Sequence, residues 1–219
     1  MDIVLLTLRH TQIMKYLPKR VLYILVVLIL LSMIDYSAYG QAELQAWGNL
    51  TGIRINGQLM KFETSVAVVH DNWNRVIFTG KERQPRPVYK RESANRQIAT
   101  NNIDSLFIRV IVTDAAPGTV TTEVKLESRA DIKADGVFFC VRVPGKDYAN
   151  GHVQLIDPTG IGLDEGIPSS NGVIMQVRSM GFKLISPSRE LEIRFNDYAQ
   201  VIIKKDLDDF IIFTQLVSG

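Results

Sequence analysis

Leu50-Thr51-Gly52-Ile53-Arg54-Ile55-Asn56-Gly57-Gln58-Leu59-Met60-Lys61-Phe62-Glu63-Thr64-Ser65-Val66-Ala67-Val68-Val69 carries the clearest conformational signal in the chain. Apolar and polar residues alternate from Leu50 to Asn56, the period of a strand with one face buried. Asn56-Gly57 follows, and because Asn and Gly both tolerate positive φ, the pair suits the type I′ turn that closes a tight hairpin. Gln58 to Val69 returns as a second extended run, so residues 50 to 69 are expected to form a β-hairpin.

Similar runs recur along the chain: Arg75 to Thr79, Leu106 to Thr113, Val120 to Ser128, Val137 to Val143, His152 to Ile156, Val173 to Ser179, Lys183 to Ile185, Glu190 to Phe195, Val201 to Lys204 and Phe210 to Val217. Each is short, rich in β-branched or aromatic residues, and bounded by turn formers. Leu106 to Val124 reads as a second hairpin turning at Asp114-Ala115-Ala116-Pro117-Gly118, and Lys183 to Phe195 as a third, turning at Ser186-Pro187-Ser188. Asp206, Asp208 and Asp209 mark a further turn. No stretch after residue 40 keeps a helical period with caps. Closely spaced strands without crossover helices imply an all-β, antiparallel β-sandwich, with a β-barrel as the alternative. Two longer connections are expected to be loops: Gly80 to Asn102, polar and basic with Pro85 and Pro87, and Asp157 to Gly172, rich in Gly, Pro, Ser and acid.

Upstream lies a different kind of segment. Val21 to Ile34 is apolar apart from one serine, follows Lys15, Lys19 and Arg20, and precedes Ala38-Tyr39-Gly40. The run is shorter than the roughly 20 residues of a membrane-spanning helix, basic residues flank it on the side that stays inside, and small residues sit where a signal peptidase reads. Residues 1–40 are therefore expected to be a hydrophobic signal helix cut before Gln41, with Met14 as an alternative start and an uncleaved membrane anchor as the alternative fate. Export to the periplasm or beyond follows, with the membrane involved only through that segment. No cysteine lies near residue 40, which argues against a lipid anchor.

Residues 41–219 then form a single sandwich domain, whole or cut short after the strand Phe210 to Val217. The whole chain has 25 basic and 23 acidic residues; removing Arg9, Lys15, Lys19, Arg20, Asp2 and Asp35 leaves 21 of each. A neutral exported domain gives no electrostatic case for nucleic acid as a partner. The one cysteine, Cys140, lies in the apolar run Val137 to Val141 and reads as a small core residue.

Chemistry-bearing residues are sparse. Trp47 and Trp73 are the only tryptophans; Trp73, in the turn-like Asp71-Asn72-Trp73-Asn74, is the better candidate for stacking on a sugar ring, while the alternative is that both plug the ends of the core. Lys81 to Arg91 gathers Arg86 and Tyr89 among further cations, a set suited to a uronate or sulfated glycan. Asp157, Asp164 and Glu165 match no EF-hand spacing and read as surface loop. Only His70 and His152 follow the signal segment, and there is no nucleophile elbow, zinc-spaced cluster or phosphate-cradling glycine loop. No cofactor, metal or catalytic residue is called for.

The block Trp47 to Ser65, followed by Lys81-Glu82-Arg83-Gln84, resembles the opening of N-terminal β-sandwich regions in secreted bacterial polysaccharide-degrading proteins, over residues 47–125. In such proteins the sandwich precedes a catalytic domain, commonly a glycoside hydrolase barrel, and no catalytic residue carries across to this chain. The resemblance implies an accessory or orphaned sandwich, free or part of a larger hydrolase, rather than an active hydrolase. Joined to the residue reading above, the first expectation is a non-catalytic, carbohydrate-associated module with Trp73, Tyr89 and Arg86 as the glycan contacts. Two alternatives stand beside it. One is a stand-alone polysaccharide hydrolase, which needs two carboxylates about 5 to 9 Å apart; the other is a periplasmic assembly protein that pairs through exposed strand edges.

Overall fold

The computed structural model describes residues 41–83, 86–156, 164–166 and 172–218. The expected signal helix, the Gln84-Pro85 part of the basic segment and most of the Asp157 to Gly172 connection lie outside the described residues. Within them the chain is all-β with antiparallel pairing throughout, and only two short 3-10 turns, Lys81–Arg83 and Gly145–Tyr148, interrupt the strands. No sheet closes on itself among the described residues, so the barrel alternative falls.

Three sheets form. The smallest joins β1 (Ala42–Leu44), β2 (Leu50–Ile55) and β3 (Gln58–Lys61) in that order. A four-stranded meander joins β6 (Val88–Ser93), β7 (Arg96–Ile103), β8 (Leu106–Ala116) and β9 (Thr119–Ser128). The largest contains β4 (Glu63–His70), β5 (Arg75–Phe78), β10 (Gly136–Pro144), β11 (His152–Ile156), β12 (Asp164–Gly166), β13 (Gly172–Ile185), β14 (Glu190–Asp206) and β15 (Asp209–Ser218), ordered β12-β11-β13-β14-β15-β10-β4-β5.

The expected hairpin has its turn in place, with Asn56 at φ 50° and Gly57 at φ 80°, the two positive values that type I′ requires. Its return arm, however, divides at the buried Phe62. β3 stays paired with β2, while β4 leaves to pair with β10 and β5. The corner is stitched by buried hydroxyls and an amide. Leu50 N donates to Thr64 Oγ1 at 3.0 Å, Val66 N to Thr79 Oγ1 at 3.0 Å, and Thr79 Oγ1 in turn to Asn49 Oδ1 at 3.0 Å. A buried main-chain N–H without a partner is costly, so these side chains are what allow the chain to change sheets there.

Three other expectations are corrected. Gly80 to Asn102 is not one long loop, because it contains the β6–β7 hairpin. The polar composition hid the strand: buried Gln97 and Asn101 spend their amides on the carbonyls of Ala42 and Trp47. Val173 to Ser179 and Lys183 to Ile185 are one strand, β13, with a bulge at Ser179/Gly181. Glu190 to Phe195 and Val201 to Lys204 are likewise one strand, β14. Residues 195 to 198 of β14 have no partner across from them, since Arg194 pairs with Gly181 and Ala199 with Ser179.

One face of the large sheet, through residues such as Val66, Val141, Val201, Ile203 and Ile212, shares a single apolar core with Leu50 and Ile53 of the small sheet and Ala99, Ile108 and Val110 of the meander. That layering is sandwich-like. Alternate residues of the large sheet, including Ala67, Phe138, Cys140, Ile202 and Phe213, build a second, smaller cluster.

Candidate functional site

Trp73 belongs to that second cluster. The turn between β4 and β5 carries three consecutive positive φ values, Asp71 at 56°, Asn72 at 53° and Trp73 at 69°. It is pinned by Asn72 N donating to Asp135 Oδ2 at 2.6 Å and by Asn74 Nδ2 donating to Asp71 O at 2.7 Å. This swings the indole onto the sheet, where its centroid lies 5.0 Å from that of Phe138 and 5.2 Å from Phe213, edge-on to the latter. The Lys204 ammonium sits 4.1 Å from the ring centroid. Trp73 is half-buried rather than fully exposed, and a cation occupies one side of the ring. Trp47 is also half-buried, and its carbonyl accepts the Asn101 amide. The chain passes there because Gly48, at φ 91°, has no Cβ; a methyl would stand 2.6 Å from Asn101 Nδ2.

Tyr89 lies on β6, an edge strand exposed along its whole length. The residue is 38% exposed, and its hydroxyl donates to Gln97 Oε1 at 2.9 Å. Gln97 is itself buried and fixed by donating to Ala42 O at 3.0 Å, so the phenol ring is tethered to the interior. Arg91 follows two residues along the strand and so shares the Tyr89 face, while exposed Arg86 precedes the strand. Tyr89 and Arg86 therefore share a neighbourhood in the chain, whereas Trp73 belongs to a different sheet.

Sequence reasoning missed two clefts. An apolar one of about 330 Å³ opens where β9 meets the large sheet, lined by Val120 and Val124 on β9, Phe139 on β10, Leu191 and Phe195 on β14 and Leu216 on β15. The unpaired 195 to 198 segment forms part of its wall through Phe195 and Asn196. The signal for it was the polar break between the two apolar runs of β14. A wider, polar cleft of about 880 Å³ is lined by Lys61, Lys146, Arg189 and Lys205 together with Asp147, Asp208 and Asp209. Arg189 binds Asp147 at 2.7 Å and Arg142 binds Asp209 at 3.3 Å.

The titratable groups show what chemistry these surfaces can support. Among the acids around the apolar cleft, Glu192 is partly desolvated, which opposes its charge, but bonds from Lys183 and Arg194 outweigh this and hold its carboxyl below the usual range. An acid kept ionised in this way is no proton donor. Lys183 is correspondingly raised by its bonds to Glu192 and Glu190. Tyr148, buried beside the polar cleft, is pushed up to about 12, chiefly by desolvation. Burial also pushes the Cys140 thiol far up, as its reading as a core residue requires. His70 is buried, its Nδ1 2.7 Å from the Lys133 carbonyl and its Nε2 without a partner. No group of His, Cys, Asp and Glu among the described residues is arranged to hold a metal ion.

Comparison with protein-family models, curated proteins and solved structures gave no match for this chain.

Proposed function

We propose that this chain is an exported, non-catalytic β-sandwich module that holds carbohydrate, with Tyr89 as its stacking platform and Arg86 and Arg91 as partners for an anionic sugar. The observation that carries the reading is the tethered Tyr89 ring on a wholly exposed edge strand. A phenol fixed through Gln97 to buried main chain loses little freedom on binding, and its face accepts the C–H side of a pyranose while guanidinium groups bond carboxylate or sulfate. Trp73 serves the same module chiefly as packing over Phe138 and Phe213.

A glycan array spanning neutral, uronic and sulfated polysaccharides, with reducing-sugar release followed in parallel, tests this. Binding to anionic glycans without release is the expected result. Tyr89→Ala should weaken it by about 1 to 3 kcal/mol, the range of aromatic anchors, and Tyr89→Phe, which keeps the ring but loses the bond to Gln97, should fall between the wild type and Tyr89→Ala. Sugar release would replace the module with a hydrolase.

A second reading has its own support. Among the described residues β9 pairs with β8 alone and stands at the edge of its sheet beside the apolar cleft, the arrangement by which a partner strand adds to a sheet. Its sign would be a stoichiometric protein complex together with no affinity for any glycan.

A further inference from the structure

The first described residues of the domain are held by a dense set of bonds. Asp114, on β8, accepts Gln41 N at Oδ2 and Ala42 N at Oδ1, both at 3.0 Å. The Gln41 side-chain Oε1 accepts Gly118 N at 2.5 Å, and the Gln41 carbonyl accepts Arg54 N at 2.8 Å. One carboxylate thus spends both oxygens on a stretch of main chain that starts where the export segment is expected to be cut. Within an uncut chain Gln41 N is a neutral peptide donor. Once the bond to residue 40 is hydrolysed it is an α-ammonium, and the same 3.0 Å contact becomes a charge-assisted pair.

We propose that Asp114 is the receptor for the N-terminus created by removal of residues 1–40, and that it preserves Gln41 as an open-chain glutamine. The inference rests on cleavage before Gln41 and is independent of the carbohydrate reading. A free N-terminal glutamine is lost by cyclisation: neutral Nα attacks its own Cδ, the Nα–Cδ bond forms, the Cδ–Nε2 bond breaks, and ammonia leaves carrying a proton from Nα. An ammonium bonded to a carboxylate keeps its proton and offers no lone pair. The amide that Nα would have to reach is meanwhile pinned through Oε1 to Gly118.

The full chain is expressed in a bacterial host that exports it, and the N-terminus of the recovered product is read by mass spectrometry over time. A product beginning at Gln41 with a free amine that persists is expected, and Asp114→Asn should cyclise several-fold faster after cleavage at the same bond. Because that variant removes a bonded charge and can fail to fold, the wild-type product is also followed in native buffer and in urea, where cyclisation should be faster. A product that begins elsewhere, or keeps residues 1–40, overturns the cleavage site. A product beginning at Gln41 that cyclises as fast folded as in urea, or a folded Asp114→Asn that cyclises no faster than wild type, overturns the role of Asp114.

Discussion

Trp73 occupies a backbone conformation that costs a non-glycine residue roughly 1 kcal/mol or more, and so do its two predecessors. What offsets that cost is where the indole lands: against Phe138 and Phe213, under the Lys204 ammonium. Trp73→Ala keeps the strained turn and loses the packing, so it should cost about 2 kcal/mol, below the 3 to 5 of a fully buried aromatic. Urea denaturation monitored by circular dichroism measures this, and an unchanged midpoint would mean that the ring packs on nothing. Cys140 is a second residue whose behaviour follows from its surroundings. Buried and with its thiol held protonated by desolvation, it should resist an aromatic disulfide reagent in the native state and react once unfolded. Prompt labelling of folded protein would contradict its place in the core. His70 offers a third check, since its Nδ1 contact to the Lys133 carbonyl fastens the segment before β10. His70→Ala should destabilise by about 1 to 3 kcal/mol through the orphaned carbonyl and the cavity together, read by the same denaturation experiment.

At the scale of elements, the corner between β3 and β4 decides the topology, because there one extended run serves two sheets. Thr79→Val keeps the shape of the side chain but leaves Val66 N–H and Asn49 Oδ1 without their buried partners. A loss of about 1 to 3 kcal/mol is expected, larger than for threonine to valine at an exposed strand position such as Thr121; equal losses in the two variants would show that the stitching contributes nothing. The same corner explains what the sequence could reveal. Local signals were legible: Asn56-Gly57 announced its turn, alternation announced β2, and β-branched and aromatic runs bounded by turn formers announced β8 and β10. The choice of partner was not, since pairing β4 with β10 depends on residues some seventy positions away, as in Val66 against Phe139. β6 and β7 escaped for another reason. Their alternation places Gln97 and Asn101 where an apolar residue is expected, and only the carbonyls of Ala42 and Trp47 make those amides fit. The candidate site was legible to the same degree: Tyr89 and Arg86 could be named from composition, but the Gln97 anchor that orients the ring, and the unpaired residues of β14 at the apolar cleft, depend on cross-strand register.

For the molecule as a whole, stability without disulfides comes from burial, and burial also sets its response to pH. Tyr148 titrates near 10 when exposed and about 12 when folded, because desolvation disfavours the phenolate. Cys140 is shifted in the same direction and for the same reason. For both groups the unfolded chain releases a proton that the folded chain retains, so the unfolded state gains as pH rises past the ordinary values of 9 for the thiol and 10 for the phenol. Each group then removes at most about 1.4 kcal/mol per pH unit, and the Tyr148 contribution levels off once the folded form also ionises above about 12. Lys183 adds to the trend, since its raised affinity for a proton gives stability that is complete below its ordinary value and lost as pH climbs through the folded one. The Glu192 carboxylate has the opposite sign, being held charged by Lys183 and Arg194, and its contribution disappears in acid. Thermal unfolding followed from pH 7 to 12 should therefore show little change up to about 9 and a steepening loss beyond it. Tyr148→Phe should flatten only the part above 10, leaving the Cys140 component in place. If the wild type and Tyr148→Phe fall in parallel across that window, Tyr148 is not buried as a neutral phenol, and the packing of the Gly145–Tyr148 turn beneath the polar cleft would have to be redrawn.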